Sequence, residues 1–304
     1  MKRFPPLHGL VAATHTPFHP DGSLNLAAVE PLAAHLLHNG IGAVFIGGTT
    51  GESASLSLDE RRALAQRWSE VARGTALRVV VHVGSNCLAD ARTLASQAQQ
   101  LGASAIAALA PSYFKPHTLD TLIACCAEIA AAAPETPFYY YDIPGMTGVS
   151  LPVPEFLEKA GAQIPTLAGV KFSHPDLMAY LQCLRTGDWD IPWGMDEWML
   201  GALATGAQGF VGSSYNFAAP IYHRLIAAFE RGDLTTARTE QHHSVQLIAL
   251  LSRHGYMGAA KAVMQMLGVD AGPARLPNGS LSPSQTRSLR NELEVLGFFD
   301  WLKI

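Results

Sequence analysis

Short apolar runs alternate with amphipathic stretches at intervals of roughly 20–35 residues, the rhythm of a strand followed by a helix. The runs are Leu10–Thr14, Ala43–Gly47, Arg78–Val83, Ala105–Ala110, Phe138–Tyr141, Leu167–Phe172, Ile191–Gly194 and Gly209–Gly212, about eight in all. They are rich in Val, Ile, Phe and Tyr, as expected of strands in a parallel sheet. Between the first two, Val29, Leu32, Ala33, Leu36 and Leu37 keep i, i+3, i+4 spacing on one helical face, and Gly40 stops the helix. Ser57 and Glu60 form a capping-box pattern ahead of Leu64, Trp68 and Val71.

Eight such units either close into a barrel or open into a doubly wound sheet. No G-x-G-x-x-G follows the first run, and polar motifs are spread over many run ends instead of gathering at one crevice. The pattern therefore predicts an α/β protein, a (β/α)8 TIM barrel. After about Phe217 strand-like runs cease and helical segments continue. The expected organisation is a catalytic barrel over 1–230 and a C-terminal helical extension over 231–304 that packs on it and is a candidate for subunit contacts.

Composition narrows the function classes. With 304 residues, 48% hydrophobic and 15% charged, the chain can bury one large core, which argues against disorder. Lys and Arg number 21 against 25 Asp and Glu, a net −4 with no block of like charge, so nucleic acid and anionic membranes are poor partners. The opening Met1–Pro6 breaks into prolines where a signal peptide would continue as an apolar run, and no stretch can span a bilayer uninterrupted. Cys87, Cys125, Cys126 and Cys183 lie in neither a C-x-x-C nor a zinc spacing. They read as reduced, mostly core thiols of a cytoplasmic protein.

Candidate chemistry sits at the run ends. Lys171, in Gly169-Val170-Lys171-Phe172-Ser173, lies near the C-terminal end of an apolar strand. Burying an ammonium is costly, which favours a neutral, nucleophilic amine; the alternative is a lysine extending its head to the barrel mouth. Gly47-Gly48-Thr49-Thr50-Gly51-Glu52 offers close backbone N–H groups and two hydroxyls to a carboxylate, although such turns are also common connections. In Tyr139-Tyr140-Tyr141-Asp142 alternation sends neighbours to opposite faces, and Tyr141, last before the loop, is best placed to move a proton at a ligand. Gly194-Met195-Asp196-Glu197 opens a helix, where acids often serve as caps, and Gly212-Ser213-Ser214-Tyr215-Asn216 adds hydroxyls. His15 and His82 belong to no metal-ligand motif and read as barrel filler or satisfied core histidines.

Taken in this order, the motifs resemble those of the dihydrodipicolinate synthase / N-acetylneuraminate lyase family of class I aldolases over nearly the whole chain. The resembling segments are Gly48-Thr49-Thr50-Gly51-Glu52, Tyr141–Pro144 and Gly169-Val170-Lys171-Phe172. The resemblance implies Lys171 as the imine-forming lysine and Tyr141 as the proton-relay phenol. Thr49, Thr50 and Gly51 would hold a pyruvyl carboxylate, and Thr50 with Tyr113 would complete a hydroxyl relay. Tyr113, in Pro111–Pro116, would reach a neighbouring subunit's site, which implies a homotetramer built as a dimer of dimers.

Within the family, lysine-pathway synthases place an arginine near where Met146 stands, and an apolar thioether cannot grip a second carboxylate. The sialic acid lyases instead carry motifs similar to Gly194-Met195-Asp196-Glu197 and Gly212-Ser213-Ser214-Tyr215-Asn216. By that resemblance Gly194, Asp196, Glu197 and Ser213 would bind a polyol, with Ser173 standing where Thr is commoner. The implied reaction is metal-free, cofactor-free, reversible cleavage of N-acetylneuraminate to N-acetylmannosamine and pyruvate, so the partners are a 2-keto acid and a sugar aldehyde. The alternatives are another pyruvate-dependent aldolase or dehydratase of the family, or a non-catalytic keto-acid binder.

Overall fold

The computed structural model describes residues 4–303; Met1, Lys2 and Arg3 of the opening segment, and Ile304, lie outside the described residues. Seven of the eight runs form strands: β1 (Gly9–Ala13), β2 (Ala43–Ile46), β3 (Arg78–His82), β4 (Ala105–Leu109), β5 (Phe138–Asp142), β6 (Leu167–Phe172) and β7 (Gly209–Gly212). Neighbours are parallel throughout, in the order β6-β5-β4-β3-β2-β1-β7.

The seventh run, Ile191–Gly194, differs from expectation in forming isolated bridges instead of a strand. Pro192 has no N–H to give to a ladder, so pairing there is intermittent. It still closes the sheet. On one side Val170 N donates to Asp190 O at 3.1 Å and Phe172 N to Pro192 O at 3.0 Å; on the other Trp193 N donates to Gly209 O at 2.9 Å and Val211 N to Trp193 O at 2.8 Å. The closure is so tight at Gly169 that a Cβ there would lie 1.7 Å from the Asp190 carbonyl oxygen. The result is the (β/α)8 barrel, with the 190–194 segment as its eighth stave.

Strand alternation sorts the side chains into two cores. Val11, Ala13, Phe45, Val80, Ala107, Tyr139 and Tyr141 face the interior, whereas Val44, Ile46, Val81 and Tyr140 pack outward against the helices. Alanines at Ala13, Ala43, Ala105, Ala107 and Ala168 leave the interior volume that the large rings of Phe45, Tyr139 and Tyr141 fill. Tyr139 closes the floor, donating to Asp190 Oδ2 at 2.8 Å, an oxygen that also accepts from Leu7 N at 2.8 Å.

The helices follow their sequence signals. Val29–His38 buries Val29, Leu32, Ala33 and Leu36, and the capping box of Leu58–Ala72 is complete, with Ser57 Oγ accepting from Glu60 N and Glu60 Oε2 from Ser57 N. Among the described residues no strand follows Gly212; the helices Tyr215–Glu230, Leu234–Arg253, Tyr256–Met266 and Pro283–Leu296 succeed one another, with a short last turn at Phe298–Trp301. Leu247, Leu250, Leu251 and Val263 join the same core as the barrel helices, and 267–282 returns to the barrel mouth, where Phe18 N donates to Ala271 O at 3.1 Å. Among the described residues no helix is long and apolar enough to cross a membrane.

Candidate active site

β6 brings Lys171 to the C-terminal end of the barrel with its side chain inward and only 4% of its surface exposed. The amine lies 3.8 Å from the centroid of the Tyr141 ring and 4.2 Å from that of Phe45. Tyr141 meets Phe45 edge-on at 5.5 Å and His82 edge-on at 5.9 Å. Rings from β5 and β2 thus flank the amine, and no ion pair to it is present among the described residues. A lysine amine set in a ring-lined, largely apolar pocket is placed to act as a nucleophile toward a bound carbonyl. The snorkelling alternative does not describe this side chain.

The β2 turn curls around the same point. Tyr141 Oη and Thr49 Oγ1 are 3.3 Å apart, which binds the phenol to the turn. Within the turn Glu52 N donates to Thr49 O and Ser53 N to Gly48 O, but no hydrogen bond among the described residues takes up the amides of Thr49, Thr50 and Gly51. Three free amides and two hydroxyls in a half-buried turn make an anion cradle. Thr16 Oγ1 ties it down by donating to Gly51 O at 2.7 Å, and His82 Nδ1 lies 2.8 Å from Gly47 O. His82 stays neutral: burial, helped by Arg61 and Lys171, holds its pKa well below the usual imidazole value.

Glu52 supports the cradle from behind. It is the one non-glycine residue with positive φ among those described, at 55°, a conformation that needs outside support. Its carboxylate forms a buried ion pair with Lys261 at 2.9 Å and accepts from Arg275 N at 2.8 Å. Lys261 Nζ also donates to the carbonyls of Thr16 at 2.8 Å and Pro273 at 2.7 Å. The C-terminal region therefore fixes the turn. No sequence signal marked Lys261 or Arg275, which lie over 200 residues from Glu52.

Two histidines differ in how they are satisfied. His82 is a partnered core histidine as expected, whereas both ring nitrogens of buried His15 lack a hydrogen-bond partner among the described residues. Burial, with Lys261 nearby, drives the His15 pKa down to about 3, so it too is neutral.

Just past the 190–194 stave, Asp196 begins a short 3-10 turn, Asp196–Trp198, yet it caps nothing. Its carboxylate turns inward to accept from Ser214 N at 2.9 Å and from Ser214 Oγ. Gly212 makes this possible, because a Cβ there would lie 1.8 Å from Asp196 Oδ1. Burial raises the Asp196 pKa, with the Ser214 hydrogen bonds and the Lys171 charge pulling the other way. Glu197 is half-buried and likewise raised, mainly by desolvation. Gly194 sits against Ser173, whose Oγ is buried and unpartnered among the described residues. Ser213 Oγ lies 2.7 Å from the Tyr256 hydroxyl, a contact from the C-terminal region that the sequence did not announce.

Two parts of the expected relay are not assembled within one chain. Tyr141 meets Thr49, not Thr50. Tyr113 is 79% exposed, stacked edge-on against the equally exposed Phe114 at 5.0 Å. Met146 also faces outward, 65% exposed, in the turn Pro144–Thr147. Among the described residues no three His, Cys, Asp or Glu side chains converge in metal-binding geometry.

Known proteins carry the same arrangement of chain. The profile described as the Dihydrodipicolinate synthetase family matches residues 6–296. The N-acetylneuraminate lyase of Gallus gallus is 41% identical over 296 residues, covering 95% of this chain and 96% of that protein. The structure of the Proteus mirabilis N-acetylneuraminate lyase superposes with a TM-score of 0.94 at 38% identity, covering 97% of this chain and 100% of that one. A catalytic lysine mutant of the Ruminococcus gnavus sialic acid aldolase superposes with a TM-score of 0.90 at 26% identity, covering 96% of each chain.

Proposed function

The chain belongs to the dihydrodipicolinate synthetase family, and from that premise we propose that it is a Schiff-base aldolase cleaving N-acetylneuraminate reversibly to N-acetylmannosamine and pyruvate. The observation that carries the chemistry is the Lys171 amine, buried among the rings of Tyr141 and Phe45 beside a turn with three unspent amides. What supports the substrate is the pair of N-acetylneuraminate lyases matching end to end, together with Asp196, Glu197 and Ser213 at the ends of the 190–194 stave and β7.

In this reading the substrate carboxylate sits on the amides and hydroxyls of Thr49, Thr50 and Gly51. Lys171 attacks the C2 keto carbon, and loss of water leaves a protonated imine. Tyr141 Oη accepts the C4 hydroxyl proton as it hands its own proton to Thr49 Oγ1, while the C3–C4 bond breaks and its electron pair passes into the imine, giving an enamine. N-acetylmannosamine leaves as the aldehyde. The enamine is reprotonated at C3, and water hydrolyses the imine to free pyruvate and Lys171. Since the phenol is held by Thr49, the proton passes first along the Tyr141–Thr49 contact, with Thr50 adding its hydroxyl to the cradle. Tyr113 completes the relay from a neighbouring subunit, its exposure in one chain being what an exchanged side chain requires. The protein then works as a cytoplasmic homotetramer.

Asp196, Glu197, Ser213, Gly194 and Ser173 receive the sugar hydroxyls, and the outward-facing Met146 offers no charge to a second carboxylate. Pyruvate release from N-acetylneuraminate, measured in a coupled assay beside a panel of keto-deoxy sugar acids, tests the assignment. Release greatest with N-acetylneuraminate is expected; turnover confined to another keto acid would reassign the substrate.

A further inference from the structure

One buried polar chain behind the site has no part in the mechanism above. Ser214 Oγ, bonded to Asp196, also lies 2.6 Å from the Tyr222 hydroxyl. That hydroxyl in turn lies 2.8 Å from Ser244 Oγ, on the C-terminal helix Leu234–Arg253. Ser214, Tyr222 and Ser244 are each fully buried, at 0% exposure. An isolated phenol and serine at such depth carry a desolvation cost that a core position filled by Phe and Ala would avoid.

The direction of the chain follows from its end. A carboxylate only accepts, so Ser214 must donate its hydroxyl proton to Asp196. Ser214 Oγ can then only accept from Tyr222, and the Tyr222 oxygen accepts from Ser244. Every hydroxyl in the row points toward Asp196, and each donation strengthens the next. The same helix touches the acid's own backbone, because Gln241 Nε2 donates to Asp196 O at 3.2 Å and Gln241 Oε1 accepts from Leu200 N at 2.7 Å. The Tyr222 ring is itself fixed edge-on against Tyr215 at 4.7 Å.

We propose that Tyr222 and Ser244 are positioning residues for sugar selectivity: through Ser214 they hold the Asp196 carboxylate as a fixed, charged acceptor for the hydroxyls of the aldehyde portion of the substrate. The proposal rests on the reading of Asp196 as a sugar-binding group. It makes the C-terminal helix part of the specificity apparatus, while the pyruvate end stays independent of it.

The split between the two ends is what an experiment can read. Tyr222→Phe removes one hydroxyl and keeps the ring, so in the condensation direction the KM for N-acetylmannosamine should rise about tenfold, the scale of a hydrogen bond serving a charged group. The KM for pyruvate, and the yield of the borohydride-reduced pyruvate adduct, should stay within about twofold of wild type. Ser244→Ala should move the sugar KM the same way by about threefold, and Ser244→Thr should restore it, a pair that serves equally if Tyr222→Phe does not fold. An unchanged sugar KM in Tyr222→Phe or Ser244→Ala, equal rises in both KM values, or no rescue by threonine would overturn the proposal. A wild-type protein that traps pyruvate but does not use N-acetylmannosamine would instead remove the sugar assignment, and the positioning role of Tyr222 and Ser244 with it.

Discussion

The two rims of the barrel mouth are built from different material. At the proposed keto-acid rim, Lys171 on β6, Tyr141 on the neighbouring β5 and Phe45 on β2 meet directly inside the barrel, so rigid sheet geometry sets their spacing. At the proposed sugar rim, Asp196 stands on a short turn beside the intermittent 190–194 stave, with Ser214, Tyr222 and Ser244 hydrogen-bonded in a row behind it. On the proposed reading, chemistry falls to the barrel strands and selectivity is shared with the helices laid over them. This division lets one rim change its substrate without disturbing the other.

The sharpest way to break the comparison is at the keto-acid rim. Lys171→Ala should lower kcat by at least about 10⁴-fold, since the nucleophile itself is lost; steady-state pyruvate release checks it. Tyr141→Phe should cost about 10²–10³-fold in kcat, as expected for loss of a proton-transfer group. That variant should still trap pyruvate with borohydride, which separates imine formation from bond cleavage.

The support behind the cradle predicts a stability effect. Lys261→Met leaves the Glu52 carboxylate buried without its cation, and denaturant unfolding should show a loss of about 3 kcal/mol or more. Adding Glu52→Gln should recover part of that loss while pyruvate KM stays elevated, because the left-handed turn has lost its brace. Full recovery of both quantities would show that the pair is ordinary core.

At the sugar rim the expected effects are smaller and depend on pH. Burial raises the Asp196 pKa, so as pH falls the carboxylate takes up a proton earlier than an exposed aspartate would. A protonated acid loses acceptor capacity, and the KM for N-acetylmannosamine should therefore rise on the acid side before that for pyruvate does. The sign for stability is the reverse of a paired carboxylate: a raised pKa in the folded state favours folding at low pH and opposes it once the group ionises. Asp196→Asn should accordingly raise the sugar KM about tenfold while changing unfolding free energy near neutral pH by less than about 1 kcal/mol.

Much of the fold was legible because strand and helix periods survive in the apolar pattern. Seven runs became strands with ends shifted by no more than one residue. The exception, Ile191–Gly194, shows where the pattern fails: its apolar residues mark a buried segment, but Pro192 denies it a regular ladder. At the site, Lys171, Tyr141 and the β2 turn could be read because each lies at a strand end. What could not be read were partners from the helices after β7 and from the 267–282 segment. Lys261, Arg275, Tyr222, Ser244 and Tyr256 sit in segments whose polar residues look like ordinary solvated positions until the chain returns to the barrel mouth. Asp196 was open to reading as a helix cap, and only its inward turn to Ser214 distinguishes the two roles.

The central claim is that Lys171 carries the substrate as an imine, and one measurement addresses it directly. The protein is incubated with pyruvate and borohydride, and intact mass followed by peptide mapping locates any reduced adduct. The account predicts a single adduct on the peptide containing Lys171, lost in Lys171→Ala. No adduct, or one that persists in that variant, would contradict it.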